Sequence, residues 1–271
     1  MYKLRVIYEK RIFTNLRMST LLKFILLAYC LLPTAYFSSA QTNVKDSALT
    51  FSMIKFSYAY QLPGEDMAKR FGYNSNLGLD FSIKTKHNLI FGVIGSFIFG
   101  NQTKENGILD SLKNSSGWII NQNGIPSTVR LFERGFTVSL CFGKMFHVFA
   151  PNPNSGIVIY GGPTYMYHKI KINDIGHQVP ELTAGYLKGY DRLSAGFGLH
   201  EFIGYVYLGN SRIINFFGGI EFIQGFTKSL RGYNYDLMQT DTAMRKDFLY
   251  GIRVGWILPL YRKVPQQYYY Y

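Results

Sequence analysis

The chain alternates apolar and polar residues in segments of about ten residues, separated by gaps that are alternately short and long. Residues 72–84 show this pattern best. One parity holds Tyr73, Leu77, Leu79, Phe81 and Ile83, and the other holds Asn74, Asn76, Gly78, Asp80, Ser82 and Lys84. Because successive side chains of a β-strand point to opposite faces, the alternation predicts a strand with one apolar and one polar face.

Eight such strands are predicted along the chain. They span residues 49–61, 72–84, 89–100, 129–143, 156–168, 190–207, 213–227 and 247–260. The connections after the second, fourth and sixth strands are short, and those after the first, third, fifth and seventh are longer and polar. Short and long connections then lie at opposite ends of the strands. This arrangement favours an all-β fold, an eight-stranded antiparallel barrel whose two termini both lie at the short-turn end. Pro163 predicts a bulge or weak pairing in the fifth strand.

A soluble lipocalin-like barrel is the alternative, and it would point its apolar face inward around a ligand. In this chain the large aromatic residues share a parity with the aliphatic ones, while glycines and charges occupy the other. That division suits a narrow polar interior and a lipid-facing exterior. The composition agrees, with 22 Tyr and 22 Phe, because aromatic residues form the girdles of transmembrane barrels.

The N-terminal segment predicts an export signal. An apolar run over residues 21–37 leads into the small residues Ser38 and Ala40, which suit cleavage. Met18 starts a segment of ordinary signal length, so we expect translation to begin there. An uncleaved membrane anchor is the alternative, although the run is short and is broken by Pro33. The predicted organisation is a signal peptide over 1–40, a transmembrane barrel over 41–261 and a Tyr-rich tail over 262–271.

The formal net charge is +13, and residues 1–40 contribute +5 of it, which leaves +8 for the remainder. No Lys/Arg-rich run or recognition helix accompanies this charge, so we expect no nucleic-acid partner. Contact with anionic lipopolysaccharide is a simpler cause of a basic surface. Beyond residue 40 the only cysteine is Cys141, which excludes an internal disulfide and is expected to be a small packing residue.

Charged residues on the polar parity are the main chemical feature of the strands. They are Lys55, Asp80, Lys84, Glu133, Glu221 and Arg253. Since buried charges are tolerated only when paired, and eight strands enclose little more than side chains, we expect a salt-bridge network that plugs the lumen. Glu201 falls on the apolar parity, so a bulge near His200 or a place at the membrane rim is predicted for it.

The end of the last predicted strand carries a polar residue, a glycine and spaced leucines: Arg253, Gly255, Leu258 and Leu260. This arrangement resembles the terminal signal that the barrel-assembly machinery recognises. With the export signal, the strand rhythm and the unequal connections, the chain resembles the small eight-stranded outer-membrane barrels of the OmpA, OmpX and PorT kind. The resemblance implies a Gram-negative outer-membrane location, surrounding lipid and lipopolysaccharide, short periplasmic turns and long extracellular loops, and the assembly machinery as a partner.

That resemblance implies no single activity, because such barrels serve as anchors, adhesion or defence proteins and accessory parts of secretion systems. The apolar residues Trp118, Ile119 and Ile120 lie in a long polar connection and form a candidate contact surface for an envelope protein partner. Alternatively, the long loops fold over the barrel mouth and bury such residues against one another.

A lipid A-modifying enzyme is a further alternative, and it needs a histidine, a hydroxyl nucleophile and an acid near the outer rim. The nearest candidates are His168, His177, Ser194, Asp174 and Glu181, and no recognisable spacing ties them together. The chain also lacks a Gly-rich phosphate loop, a CxxC pair and a metal-ligand motif. The sequence therefore predicts no enzyme, no catalytic residue, no cofactor and no metal.

Overall fold

The computed structural model describes residues 47–105, 107–176, 179–182, 185–209 and 213–261. These residues form a closed barrel of eight antiparallel strands, which confirms the predicted fold class. The predicted signal peptide, the start at Met18 and the Tyr-rich tail lie outside the described residues. Within the described ranges, no helix has the length and hydropathy needed to cross a membrane.

The strands are numbered in chain order. They are β1 (Phe51–Gly64), β2 (Asn74–Lys84), β3 (Leu89–Gly100), β4 (Ile119–Ile120), β5 (Pro126–Ser127), β6 (Val129–Phe146), β7 (Gly156–Asp174), β8 (Ser194–Leu208), β9 (Asn215–Ser229), β10 (Gly232–Asn234), β11 (Gln239–Asp241) and β12 (Met244–Leu260). The long connections are named L1 (65–73), L2 (101–128), L3 (175–193) and L4 (230–243). Helix α1 (Glu65–Arg70) lies in L1, the β4–β5 pair in L2 and the β10–β11 pair in L4.

Each barrel strand pairs with its neighbours along the chain, and β12 closes the ring against β1. Following the pairing register around the ring from Ser52 leads back to Leu62, ten residues further along β1. Strand number and stagger together set the tilt and the width of a barrel, and eight strands leave room for side chains but for no open channel.

Strand β7 extends past its predicted end at residue 168, and the alternation of apolar and polar positions inverts at that point. Beyond His168, Ile170 points inward and is fully buried, whereas Lys169 and Lys171 lie on the opposite parity. Lys169 and Lys171 thus take the outward positions that Ile157 and Ile159 take within the wall, as expected where a strand leaves lipid and enters water. The sequence pattern predicts a strand end at residue 168 because of this inversion, whereas the strand continues to Asp174.

Two predicted irregularities have different outcomes. The β6–β7 ladder is interrupted between the pairs Ser139–Thr164 and Phe142–Gly161, which confirms the weak pairing predicted at Pro163. The bulge predicted near His200 is wrong, because β8 keeps an unbroken register with β7 through Glu201. Glu201 accordingly points outward from the wall, at the midpoint of β8.

The exterior is apolar between two sets of aromatic residues. Ring contacts toward the loop end include Tyr60–Tyr73 (5.4 Å), Phe136–Tyr167 (4.8 Å), Tyr165–Phe197 (5.3 Å) and Phe226–Phe248 (6.3 Å). Contacts toward the short-turn end include Phe56–Trp256 (6.1 Å), Phe91–Phe142 (6.0 Å) and Tyr207–Phe216 (5.1 Å). Exposed aliphatic residues such as Leu79, Val93, Leu140, Ile203 and Val254 occupy the band between them. Aromatic girdles around an apolar band are typical of transmembrane barrels.

The interior has three layers rather than the uniformly polar filling that alternation predicts. An apolar lower cluster fills the short-turn end and includes Met53, Ile90, Ile94, Tyr160, Phe202, Phe217 and Ile257. An apolar upper cluster fills the loop end and includes Met67, Phe71, Ile98, Met166, Ile170, Ile223 and Leu249. Polar side chains occupy the central layer between the two clusters.

Candidate functional site

Arg253 is the centre of the polar layer. Its Nε donates to Glu221 Oε2 over 2.7 Å, its Nη1 to Ser57 Oγ over 2.7 Å and its Nη2 to Asn76 Oδ1 over 3.2 Å. Both charged side chains are fully buried. Burying a charge is tolerable when it is paired and hydrogen-bonded, and the guanidinium satisfies this condition with three partners on three other strands.

Glu221 extends the same network around the barrel. Its Oε1 accepts a hydrogen bond from Gln61 Nε2 over 2.7 Å, and its Oε2 lies 3.3 Å from His200 Nε2. His200 Nδ1 lies 3.1 Å from Ser139 Oγ, which donates to Thr164 Oγ1 over 2.7 Å.

Asn76 carries the network in the other direction, to Ser96 (3.1 Å) and through it to Thr137 (2.7 Å). Together these hydrogen-bonded residues come from all eight barrel strands. The central layer is therefore one connected network that links the whole wall through Arg253.

The other four predicted lumen charges are buried, but none of them forms an ion pair or hydrogen bond with this network within the described residues. Lys84 Nζ donates to Asn154 Oδ1 over 3.0 Å at the short-turn end. Glu133 Oε1 accepts from Asn74 Nδ2 over 3.1 Å at the loop end. The expected single salt-bridge network is thus corrected: of the six charges, only Arg253 and Glu221 form an ion pair in the described residues.

Lys55 and Asp80 occupy directly opposed positions in the β1–β2 ladder, yet they do not form an ion pair. Lys55 Nζ instead lies 5.6 Å from the Tyr160 ring centre and 5.4 Å from that of Phe217, within cation–π range. Both carboxylate oxygens of Asp80 are buried without a hydrogen-bond partner among the described residues. The ammonium group of Lys55 therefore lies beside the rings of the lower cluster instead of within ion-pair distance of its cross-strand acid.

The four long loops are tied together over the barrel mouth by one chain of ion pairs, which we call the clasp. Arg70 of L1 lies 3.2 Å from Glu105 of L2, and Glu105 also accepts from Arg192 of L3 over 2.8 Å. Arg192 then binds both carboxylate oxygens of Asp236 of L4, over 2.8 and 2.6 Å. Planar bidentate pairing of this kind adds geometric specificity to charge attraction.

The clasp is built from charges that stabilise one another. Burial alone lowers the pKa of Arg192, but its bonds to Asp236 and Glu105 outweigh that effect and raise the pKa. Arg192 has a φ of 48°, in the left-handed region that disfavours side chains, so its contacts hold the backbone in a strained conformation. Arg231 adds a second L3–L4 tie through a bidentate bond to Asp191 over 3.0 and 2.6 Å.

A histidine and an aspartate meet beneath the clasp. His168 Nε2 lies 2.8 Å from Asp247 Oδ2, which also accepts a hydrogen bond from Thr227. Ser194 is the cross-strand partner of His168, but its hydroxyl donates to Arg192 O over 3.1 Å and accepts from Arg70. These side chains are fully buried inside the barrel.

The remaining enzyme candidates lie elsewhere. Asp174 accepts hydrogen bonds from Ser127 (2.7 Å) and from the Val179 backbone (2.9 Å), and Glu181 is exposed in L3. His177 lies outside the described residues. No group of three or more His, Cys, Asp or Glu that could hold a metal occurs in the described part of the chain. In the described part of the chain, the histidine that meets an acid and a hydroxyl near the loop end is His168, and that group is buried beneath the clasp instead of exposed at the outer rim.

The predicted loop contact surface is split by the fold. Trp118 is 57% exposed, whereas Ile119 is buried in the upper cluster and Ile120 is half-buried. Ile119 is thus corrected from a contact residue to a core residue. Ile108, Leu109, Val179 and Leu182 join the same cluster, so much of the apolar content of the loops packs over the mouth.

A groove of about 480 Å³ marks the wall around Glu201. Gly161 lies directly across the β7–β8 ladder, and the Glu201 side chain leans over it. Phe222 flanks the acid on β9, and the polar Gln224 lies diagonally across from it on the same outward face. The groove thus combines an ionisable group with an apolar surround at mid-height of the wall.

The residues of the predicted assembly signal all lie on β12, at the strand that closes the barrel. Arg253 points inward to the polar layer, and Leu260 pairs with Ser52 at the end of the β1–β12 seam. Gly255 and Leu258 lie between them on the same ladder. Recognition of these residues during assembly stays a prediction.

No family model matches the chain, and no curated protein matches it. Among solved structures it is similar to Neisserial surface protein A, with 10% identity over 76% of this chain and 96% of that chain and a TM-score of 0.39. It is similar to Ail, the attachment invasion locus protein of Yersinia pestis, with 14% identity, a TM-score of 0.36 and coverage of 77% and 99%. It is also similar to the outer membrane protein OprG from Pseudomonas aeruginosa, with 12% identity, a TM-score of 0.35 and coverage of 81% and 99%. The barrel architecture accordingly rests on the strand pairing of this chain itself.

Proposed function

We propose that this protein is an integral barrel of a Gram-negative outer membrane, with a plugged lumen and a structural, anchoring or surface-binding role. The observation that carries the proposal is the exterior: an apolar band between two aromatic girdles, wrapped around a wall with no open edge. In hydrocarbon every backbone polar group must be satisfied within the protein, and a closed ring of strands does so. Lipid and lipopolysaccharide are the expected surroundings, and the net charge of +8 beyond residue 40 suits an anionic surface.

The interior argues for binding or anchoring rather than transport. Apolar clusters fill both ends of the lumen, the Arg253 network fills its centre, and the clasp covers the mouth. A pathway for solute would require all of these layers to rearrange. In this proposal the loops form the binding surface of the protein. The filled lumen makes the barrel rigid and so fixes the positions of the loops.

The test combines membrane extraction with residue labelling. Ser115 is exposed in L2, and Lys86 is exposed in the short turn between β2 and β3. We expect the protein to stay with outer membranes after alkaline washing. A membrane-impermeant maleimide should label Ser115→Cys in intact cells and Lys86→Cys only after lysis. Release by washing would overturn the membrane assignment, and the reverse labelling would overturn the orientation.

The wall around Glu201 favours a second candidate function, an accessory subunit of an envelope machine. An ionisable group within a membrane segment is costly and commonly marks a functional contact. We infer that the partner would be a membrane-embedded protein that offers Glu201 a hydrogen-bond donor.

Affinity purification in mild detergent should then recover a stoichiometric partner at high salt. Glu201→Leu should reduce this recovery and Leu79→Ile, on a distant part of the wall, should not. Recovery of the barrel alone would contradict the subunit role.

A further inference from the structure

A groove of about 600 Å³ lies at the tips of the loops, between L3 and L4 and bordered by L2. Its aromatic lining consists of Tyr186, Tyr190 and Tyr235, and Met238 and Glu181 also form part of the walls. Small-molecule sites commonly have volumes of roughly 300–1,000 Å³. The groove is therefore large enough for a small organic group, and it belongs to neither the clasp nor the wall groove described above.

Contacts between L3 and L4 hold the rings in place. The rings of Tyr190 and Tyr235 meet edge to face, with centres 5.9 Å apart and planes at 83°. Tyr235 N donates to Gly189 O over 3.0 Å, and its ring lies where a Cβ on residue 189 would stand. Tyr190 is 8% exposed and forms the floor, whereas Tyr186 is 61% exposed and forms the rim. Contacts between L3 and L4 thus hold the rings of Tyr190 and Tyr235, and the rim of the groove is open to solvent at Tyr186.

The charge of the groove is negative. Glu181 is the only charged residue among the lining residues, and it makes no ion pair with any residue that the structure describes. Of the basic residues that the structure describes in L3 and L4, Arg192 is engaged by Asp236 and Arg231 by Asp191, and the exposed Lys188 is not part of the lining. A cation entering the groove would meet aromatic faces and one uncompensated carboxylate.

We propose that this groove binds a quaternary or methylated ammonium group, of the kind carried by choline head groups and methylated lysine side chains. Aromatic faces attract such cations electrostatically, and cages of several rings are the usual way in which proteins bind them. Glu181 supplies the counter-charge, and the exposed Met238 supplies an adaptable apolar edge. The proposal rests on the surface-binding role and deepens it by naming a ligand class for the loop end.

The test uses the purified barrel in a glucoside detergent, which carries no ammonium group of its own. Choline is titrated by calorimetry beside its neutral isostere, in which a quaternary carbon replaces the nitrogen. We expect saturable choline binding and an affinity for the isostere that is lower by about fivefold or more. Equal binding of the two compounds, or no saturable choline binding, would overturn the proposal.

Variants localise the binding. Tyr186→Leu and Glu181→Gln should each weaken choline binding by about fivefold, while Tyr186→Phe keeps the aromatic face and should bind nearly as well as the native protein. Trp118→Leu is the matched control, because Trp118 is 57% exposed on L2 outside this groove. Loss of binding in the control alone, or none in the groove variants, would overturn the site.

Two further titrations separate the sources of the ammonium group. Tighter binding of phosphocholine than of a trimethyllysine peptide would identify a lipid head group, and the reverse order would identify a modified protein. Either order supports an ammonium site, whereas binding of a neutral sugar without choline binding would overturn it. Failure of all these titrations leaves the membrane extraction and labelling results intact, so the two proposals fail separately.

Discussion

Arg253 Nε on β12 and Glu221 Oε2 on β9 lie 2.7 Å apart at the centre of the barrel, with both side chains fully buried. Removing one member of such a pair leaves the other charge without compensation. We expect Arg253→Met to lower the free energy of unfolding by about 3–5 kcal/mol. Urea unfolding of the protein in lipid vesicles, followed by tryptophan fluorescence, would measure the loss.

The double variant Arg253→Met, Glu221→Leu is the control for this prediction. Replacing both partners removes the uncompensated charge, so a large part of the lost stability should return. A double variant that is less stable than Arg253→Met alone would contradict the role assigned to the ion pair. It would indicate that the bonds of Glu221 to Gln61 and His200 stabilise the barrel more than its bond to Arg253.

The barrel could be predicted because each wall strand carries its own signal. Alternation in β2 places Leu79 outward and Asp80 inward without reference to any other strand, and the short connection to β3 gives the pairing. The interior apolar clusters could not be predicted in this way. In β3 both parities are apolar, so nothing local shows that Ile90 and Ile94 point inward while Phe91 points outward.

The contacts of the site depend on register and loop folding, which local patterns do not carry. Arg253 reaches Ser57, 196 residues away in sequence, because β1 closes the ring against β12. The clasp joins Arg70, Glu105 and Asp236 from three loops, and no spacing between them predicts the meeting. Burial of Ile119 likewise depends on how L2 folds over the mouth. Polar parity correctly indicated which side chains enter the lumen but could not indicate their partners.

Cys141 offers a direct test of lumen closure. Its side chain is 2% exposed and packs in the lower cluster, and Cys30 lies in the predicted signal peptide. We expect the mature folded barrel to resist maleimide for hours and to react fully after heating in detergent, because thiol modification requires access. Mass spectrometry of the intact protein would count the label. Rapid modification of the folded barrel would show that the lumen admits small molecules.

Glu105 is the shared acid of the clasp, since it contacts both Arg70 and Arg192. Glu105→Gln should remove the ion pairs that tie L2 to Arg70 and Arg192 and so loosen L1 and L3, while the wall strands keep their stability. Limited trypsin digestion in lipid vesicles should then cut these loops several times faster. Asp110→Asn is the matched control, because among the described residues Asp110 forms an ion pair with Lys113 alone, on the surface, where ion pairs contribute little. Equal cleavage rates in the two variants would contradict the clasp.

Asp241 makes the β10–β11 hairpin of L4 sensitive to acid. Burial raises its pKa, but hydrogen bonds from Arg245 and Asn234 outweigh burial and lower it. The carboxylate therefore contributes its full stability above about pH 4, and that contribution is lost as the pH falls through the lowered pKa. Amide exchange at Tyr233 and Asn234, corrected for intrinsic rates, should show protection at about pH 5 that decreases below about pH 3. Asp241→Asn should lack this dependence, and loss of protection between about pH 7 and pH 5 would contradict the assignment.

Glu201 is an ionisable residue on the outward face of the wall, and replacing it tests whether it serves stability or partner binding. It points outward at the midpoint of β8 beside Gly161 and Phe222, where lipid would otherwise lie. For the isolated barrel, we expect Glu201→Leu to raise the free energy of unfolding in vesicles by about 1–2 kcal/mol, since a lipid-facing acid is unfavourable near mid-depth. Ile203→Leu, one outward position further along β8, is the control and should change the free energy of unfolding little.

A stabilised Glu201→Leu barrel that also loses its envelope partner would mean that the acid is kept for binding at the expense of stability. A destabilised variant would instead mean that Glu201 makes a contact that the barrel needs for its own folding.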